Sequence, residues 1–311
     1  MEEQILQVSP EESGVRIDSY LARILTDAPS RTWVKKIIDD GQVRVNGQIV
    51  KAHYKIEDGD EIRVDAVEDD VMESLSPEEI PLDVVYEDAA LLVVNKPAGM
   101  LVHPAQGINS GTLVNALLHY CRREEGQALS DVNTAIRPGI VHRLDRETSG
   151  ILVVAKDNLA HVRLARQFEK HRVRKKYLAL VAGHVEFDEG KIDAPLARHP
   201  SHHDKKSVAF HESAKAATTF YRVLRRFPLP ASLVALYPQS GRTHQLRVHM
   251  SYLGHPILGD EKYGKRNTFP RMALHAQAIG FVHPITKSWI EFSIPAPREF
   301  LVPPFPALSG S

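Results

Sequence analysis

Arg137-Pro138-Gly139-Ile140-Val141-His142-Arg143-Leu144-Asp145-Arg146-Glu147-Thr148-Ser149-Gly150 runs directly into the apolar segment Ile151–Val154. Pro138-Gly139 marks one turn and Ser149-Gly150 another, ahead of what reads as a strand. Asp145 therefore stands on a loop at a strand mouth, between Arg143 and Arg146. A carboxylate among cations suits a nucleophile or a base, although an Asp flanked by two Arg is more often half of an ordinary ion pair. The loop has a superficial likeness to the His-Arg-Asp loop of protein kinases. Leu144 intervenes, no Asn follows at the kinase spacing, and no Asp-Phe-Gly occurs, which excludes that chemistry.

Outward from this loop, Val84-Val85-Tyr86 and Leu91–Val94 read as strands before it, the second ending at Asn95-Lys96-Pro97. Tyr177–Val181 and Leu233–Leu236 read as strands after it, and Gly111–Tyr120 and Asn158–Glu169 as helices. Strands and helices do not alternate regularly, so the fold class expected is α+β rather than a doubly wound sheet. Two further segments concentrate chemistry. Arg174-Lys175-Lys176-Tyr177 sets a tyrosine at a strand entrance behind three cations, and Ser240-Gly241-Arg242-Thr243-His244-Gln245-Leu246-Arg247-Val248-His249 follows a strand.

Residues 14–66 read as a separate small unit. Ile17, Tyr20, Leu21 and Ile24 recur at helical spacing, and Trp33, Val34, Ile37 and Ile38 form a second stripe behind the expected N-cap Ser30. Gly41 suits a helix end, Asn46-Gly47 a hairpin after Val43 and Val45, and Asp58-Gly59 a turn into a strand at Ile62 and Val64. Arg31, Lys35 and Lys36 fall on the polar side of the second helix. This unit resembles the S4 RNA-binding domain. Residues 67–79 read as an acidic linker, since six acidic residues and no basic ones lie between Glu68 and Glu79.

Taken in order, the Asp145 loop, the Tyr177 strand and Gly241-Arg242-Thr243-His244-Gln245 resemble the pseudouridine synthases of the ribosomal large-subunit type. The likeness runs through nearly all of residues 80–295, within a second domain read as residues 80–300, and includes Asn95-Lys96-Pro97-Ala98-Gly99 and Gly259-Asp260-Glu261-Lys262-Tyr263-Gly264. With the S4 unit, it points to the synthase D branch, with synthase C as the alternative. The resemblance implies a mixed, mostly antiparallel central sheet and an activity that isomerises uridine to pseudouridine in large-subunit ribosomal RNA. It implies Asp145 as the essential carboxylate, Tyr177 as the tyrosine packed on uracil and a candidate base, and Arg242 as the arginine paired with the carboxylate. Leu246 would line the base pocket, and Arg143 would fill the gap left by the extruded nucleotide. His142, Arg31, Lys35 and Lys36 complete the expected substrate-binding set. The attack of Asp145 on C1′, its addition to C6, and its assistance of 2′-proton removal all remain open. A pure RNA-binding module and a nucleoside hydrolase are the rival classes.

Composition fits an RNA partner once charge is located. The formal net charge is zero over 311 residues. Yet Arg137–Leu178 carries eleven Lys/Arg against four Asp/Glu, and Leu196–His249 nine against two. It is such local excess that attracts phosphate, with an affinity that falls as salt rises. Phosphate contacts are expected from Arg172–Lys176 and Arg222–Arg226 as well. Cys121, the only cysteine, excludes an internal disulfide and a thiolate metal cluster. The sixteen histidines show no H-E-x-x-H spacing, and His202-His203 would point apart on a strand, so neither a metal nor a cofactor is expected. Met1-Glu2-Glu3-Gln4 lacks the basic start and apolar core of a signal peptide, so a cytoplasmic monomer free of membranes is expected, acting on ribosomal RNA alone or within a pre-ribosomal particle.

Overall fold

The computed structural model describes residues 3–25, 31–65, 75–105, 108–122, 129–132, 137–202, 204–265 and 269–302. The expected N-cap Ser30, His203 and most of the acidic linker (66–74) lie outside them, as do the side chains of Arg31, Trp33 and Lys36. The chain divides into two compact units, one mainly Met1–Ser76 and the other Pro77–Asn133 with Arg137–Ser311.

The first unit packs two helices, α1 (Ile17–Ile24) and α2 (Arg31–Asp39), on a small antiparallel sheet. Its strands are β1 (Gln4–Gln7), β2 (Val43–Val45), β3 (Gln48–Ile49) and β4 (Glu61–Val64), in the order β1-β4-β2-β3. The sheet thus takes in Gln4–Gln7, ahead of the start expected at residue 14. Ile17, Tyr20 and Leu21 enter the core with Val34, Ile37 and Ile38. Ile24 does not: at the last residue of α1 it is exposed, and Leu25 beyond it is buried instead. Asn46 and Gly47 both take positive φ, 49° and 77°, as a tight hairpin with the strand twist requires. The buried Asp60 carboxylate ties this turn down by accepting from Asn46 Nδ2 at 2.7 Å, Glu57 N–H at 2.8 Å and the Tyr54 hydroxyl at 3.2 Å.

The second unit is built on one long sheet. Its strands are β5 (Val84–Glu87), β6 (Leu91–Lys96), β7 (Ser149–Ala155), β8 (Arg174–Ala182), β9 (Glu189–Asp193), β12 (Thr218–Arg226), β13 (Ala231–Pro238), β14 (Leu274–Val282) and β15 (Trp289–Ser293). A separate hairpin, β10 (Leu196–Arg198) with β11 (Lys206–Val208), stands apart from it. The helices are α3 (Leu113–Arg122), α4 (Asn158–Glu169) and α5 (Gln245–Tyr252). In the order β5-β6-β7-β14-β8-β13-β12-β9, with β15 added on β14, every pairing is antiparallel except β7 with β14. No helix among the described residues is long and apolar enough to cross a membrane.

That single parallel contact decides where the Asp145 loop enters. It is short, pairing His275 with Ser149 and Ala276 with Gly150. Gly150 sits there at φ +116°, and a Cβ on it would lie 2.6 Å from Ala276 N and closer still to Ala276 O. Backbone cannot step aside as a flexible side chain can. Gly150→Ala is therefore expected to cost on the order of 3 kcal/mol, from strain at a glycine-only φ together with overpacking. Urea unfolding of the variant beside the wild type measures this, and an unchanged midpoint would refute it.

Candidate active site

The Asp145 loop is held from both ends. Thr148 N–H donates to Asp145 O at 3.1 Å, closing a turn just before β7. Gly99 N–H donates to Arg146 O at 2.9 Å, and Arg146 Nε returns a bond to Gly99 O at 3.0 Å. Lys96, fully buried at the end of β6, donates to Pro97 O and Met100 O, both at 2.8 Å, and to Arg146 O at 3.1 Å. An ammonium has three donors and no acceptor, so these three carbonyls saturate it. Burial pushes Lys96 down to about 8, while the charges of Glu147 and Asp145 pull the other way. Lys96 was not among the expected site residues; the available signal was a lysine closing an otherwise apolar strand.

Facing the loop is α5. Arg247 Nη1 reaches Asp145 Oδ2 at 3.3 Å. The same guanidinium grips Asp260 with two bonds, Nε to Oδ2 at 2.7 Å and Nη2 to Oδ1 at 2.8 Å. Asp260 also accepts from Lys262 N–H at 3.0 Å and Tyr263 N–H at 3.2 Å, and its side chain is fully buried. Burial opposes the Arg247 charge, but the hydrogen bonds and charges of Asp260 and Asp145 outweigh it and raise the guanidinium above its ordinary value. The Tyr263 ring covers the cation at 5.1 Å. Arg247 thus faces the Asp145 carboxylate with its own position set by a second, buried one.

This corrects the expected partner of Asp145. Arg242 lines the same cleft, but its Nε donates to Ala216 O at 3.3 Å, and the ion pair to Asp145 comes from Arg247 instead. The reason is local. Arg242 lies in the loop ahead of α5, where its N–H is bound by Gln245 Oε1 at 3.0 Å, whereas Arg247 projects from the helix itself.

Asp145, Tyr177, Arg143 and Leu246 come together with Lys175 around a cleft of about 90 Å³. Burial, and then the Asp145 charge, push the Tyr177 phenol well above its ordinary range, so the ring enters the cleft carrying its proton. Lys175 donates to Ser240 O at 3.4 Å, and burial pushes it down to about 8. His142 is the second correction, since it does not line the cleft. Its Nε2 accepts from Val153 N–H at 2.9 Å, and its ring stacks on Phe168 with centroids 4.5 Å apart. Burial, aided by Lys175, pushes it down to about 3, which leaves a neutral histidine bracing β7.

A wider groove of about 550 Å³ adjoins the cleft, sharing Gly241 and Arg242 with it. Arg198, Lys206 and Lys215 line it, and none of the three is in an ion pair with a described carboxylate. The segment Arg222–Arg226 is less available than expected, because Arg222 and Arg226 face Glu189 and Asp188 at 3.1 and 2.7 Å. Of the first unit's expected cations, Lys35 is exposed.

A family model described as RNA pseudouridylate synthase matches residues 90–252, and an S4 domain model matches residues 15–62. The RNA pseudouridine synthase YlyB of Bacillus subtilis is 46% identical over 296 residues, covering 94% of each chain. Ribosomal large subunit pseudouridine synthase D of Zymomonas mobilis is 42% identical, over 94% of this chain and 93% of that one. Its namesake in Escherichia coli O6:H1 is 37% identical over 94% and 91%. Among solved structures, human RNA pseudouridylate synthase domain containing 1 superposes with a TM-score of 0.57 at 31% identity, over 70% of this chain and 84% of that one.

Proposed function

The chain belongs to the RNA pseudouridylate synthase family, and on that premise we propose that it isomerises uridines of large-subunit ribosomal RNA, with Asp145 as the reacting carboxylate. The observation that carries the site assignment is the Asp145–Arg247 contact at 3.3 Å on the wall of a cleft that Tyr177 also lines. The choice of RNA is supported by the names of the synthase D relatives and by the S4 module.

The reaction breaks N1–C1′ and forms C5–C1′. N1 gains a proton and C5 loses one, so atoms and electrons balance without an oxidant. The base must first leave its stack, at a cost of a few kcal/mol, and then detach, turn and reattach without escaping. A narrow cleft with one oriented carboxylate meets those needs. Arg247 aims the carboxylate, and the Tyr177 ring supplies a face for uracil. The protonated phenol supports ring packing over proton abstraction as the Tyr177 role. Arg143, exposed at the cleft rim, is positioned to occupy the space that a flipped nucleotide vacates. Phosphates of the flanking strand would run along the groove of Arg198, Lys206, Lys215 and Arg242.

Mapping pseudouridines in ribosomal RNA from cells lacking this protein tests the substrate. At least one large-subunit position should revert to uridine, and it should return when the wild-type gene is restored. Complete retention of all large-subunit pseudouridines would sink the assignment.

A further inference from the structure

Most side chains between Ser240 and His249 have an evident task. The Gln245 amide is saturated, accepting from the Ser240 hydroxyl and Arg242 N–H while donating to Thr218 O and Thr219 Oγ1. His249 is bonded inside the core to Thr219 Oγ1 and Ala194 O. His244 differs. It opens α5 at φ +58°, a left-handed conformation uncommon outside glycine, and such positions gather at functional sites. It also lines the cleft with Asp145 and Tyr177.

The state of its ring follows from its neighbours. Lys206 N–H donates to the Tyr263 hydroxyl oxygen at 2.8 Å. That hydroxyl lies 2.8 Å from His244 Nδ1, the acceptor within its reach. With the Tyr263 proton directed to Nδ1, the hydroxyl both accepts from Lys206 and donates to His244. In that arrangement the neutral ring carries its hydrogen on Nε2. Burial lowers His244 below its ordinary value, opposed by the charge of Asp145 and reinforced by Arg247 and Lys262, in keeping with a neutral ring. The hydrogen bond of the ring uses Nδ1, Nε2 has no hydrogen-bond partner among the described residues, and the half-buried ring lines the cleft.

We propose that His244 reads the substrate, its Nε2–H donating a hydrogen bond to a carbonyl oxygen of the flipped uracil. This rests on the reading of the cleft as the uridine pocket. Uracil is nearly symmetric about its N3–C6 axis. A half-turn about that axis exchanges N1 with C5 and also O2 with O4. One fixed donor therefore meets a carbonyl before and after the turn, which retains the detached base and guides it. Cytosine carries an amino donor at C4, so in one of the two orientations donor would face donor.

His244→Asn is the variant of choice, because Asn tolerates left-handed φ and its short amide cannot reach as an imidazole does. Tyr263→Phe is its companion, since it frees Nδ1 and unpins the tautomer. Both are assayed on a large-subunit stem-loop carrying uridine, 2-thiouridine or 4-thiouridine at the target, thiocarbonyls being weak acceptors. The wild type should lose about tenfold in kcat/KM on at least one thio-substrate, the worth of one hydrogen bond in a desolvated site. His244→Asn should lose about tenfold on uridine and no longer distinguish uridine from that thio-substrate, with RNA affinity unchanged and only a small drop in melting temperature from the lost Tyr263 bond. Tyr263→Phe should fall between the two. Wild-type kcat/KM in His244→Asn, or a loss that leaves the discrimination against thio-substrates intact, would overturn the proposal. A wild-type protein that forms no pseudouridine in any large-subunit stem-loop would instead bring down the uridine reading, and this inference with it.

Discussion

Asp145→Asn should bind RNA as the wild type does and form no detectable pseudouridine, a loss on the order of 10⁴-fold or more in kcat, as when a group that reacts with substrate is removed. The substitution keeps size and shape. Asp145 lies on a loop whose anchors are backbone and Lys96 contacts, and its side chain is 22% exposed, so the fold should tolerate an amide. What disappears is the carboxylate facing C1′, C6 or the 2′-hydrogen, whichever it engages. RNA affinity should persist, because it is assigned to the groove cations and the S4 module, which the change does not touch. Pseudouridine has the mass of uridine, so nucleoside chromatography of digested RNA is the readout, beside filter binding of the same RNA. Full activity in Asp145→Asn would favour another group as the reacting one. Free uracil released by the wild type would mark a hydrolase.

The fold was legible wherever burial followed periodicity. The expected apolar runs lie within β6, β7, β8 and β13, although β8 begins three residues earlier than expected, at the charged Arg174-Lys175-Lys176. The hairpin at Asn46-Gly47 needs positive φ twice, and few dipeptides supply it. The helix α5 was not legible. Leu246, Val248 and Met250 alternate as a strand would, yet all six residues from Gln245 to Met250 are buried in a helix. Its polar members are bonded within the interior: Gln245 to β12, His249 to Thr219 and Ala194, and Arg247 to Asp260. A period-based reading assumes that polar residues face water, and here they face one another. The same circumstance hid the partner of Asp145. Of two arginines five residues apart, proximity in sequence cannot say which one a long-range fold turns towards a carboxylate 102 residues away.

Arg247→Met should be the most damaging single change to stability and should also slow catalysis, and the two effects have separate causes. The Asp260 side chain is 0% exposed and receives two of its bonds from this guanidinium. Without it, a buried carboxylate keeps only the Lys262 and Tyr263 N–H groups, and removing one partner of a buried pair costs about 3–5 kcal/mol. Asp145, being partly exposed, contributes little to that cost; its loss is one of aim. The double variant Arg247→Met with Asp260→Asn separates the two effects. Neutralising Asp260 removes the stranded charge, so a large part of the stability should return, measured as the urea midpoint. Activity should not return with it, because nothing restores the cation facing Asp145. Arg247→Lys should fail in a third way, since an ammonium cannot grip Asp260 with a planar fork and still reach Asp145 at 3.3 Å. If the double variant regained stability and full kcat together, Arg247 would be a brace for Asp260 alone, and the carboxylate of Asp145 would need another cation to orient it. Lys175, on the same cleft, would be the next to test.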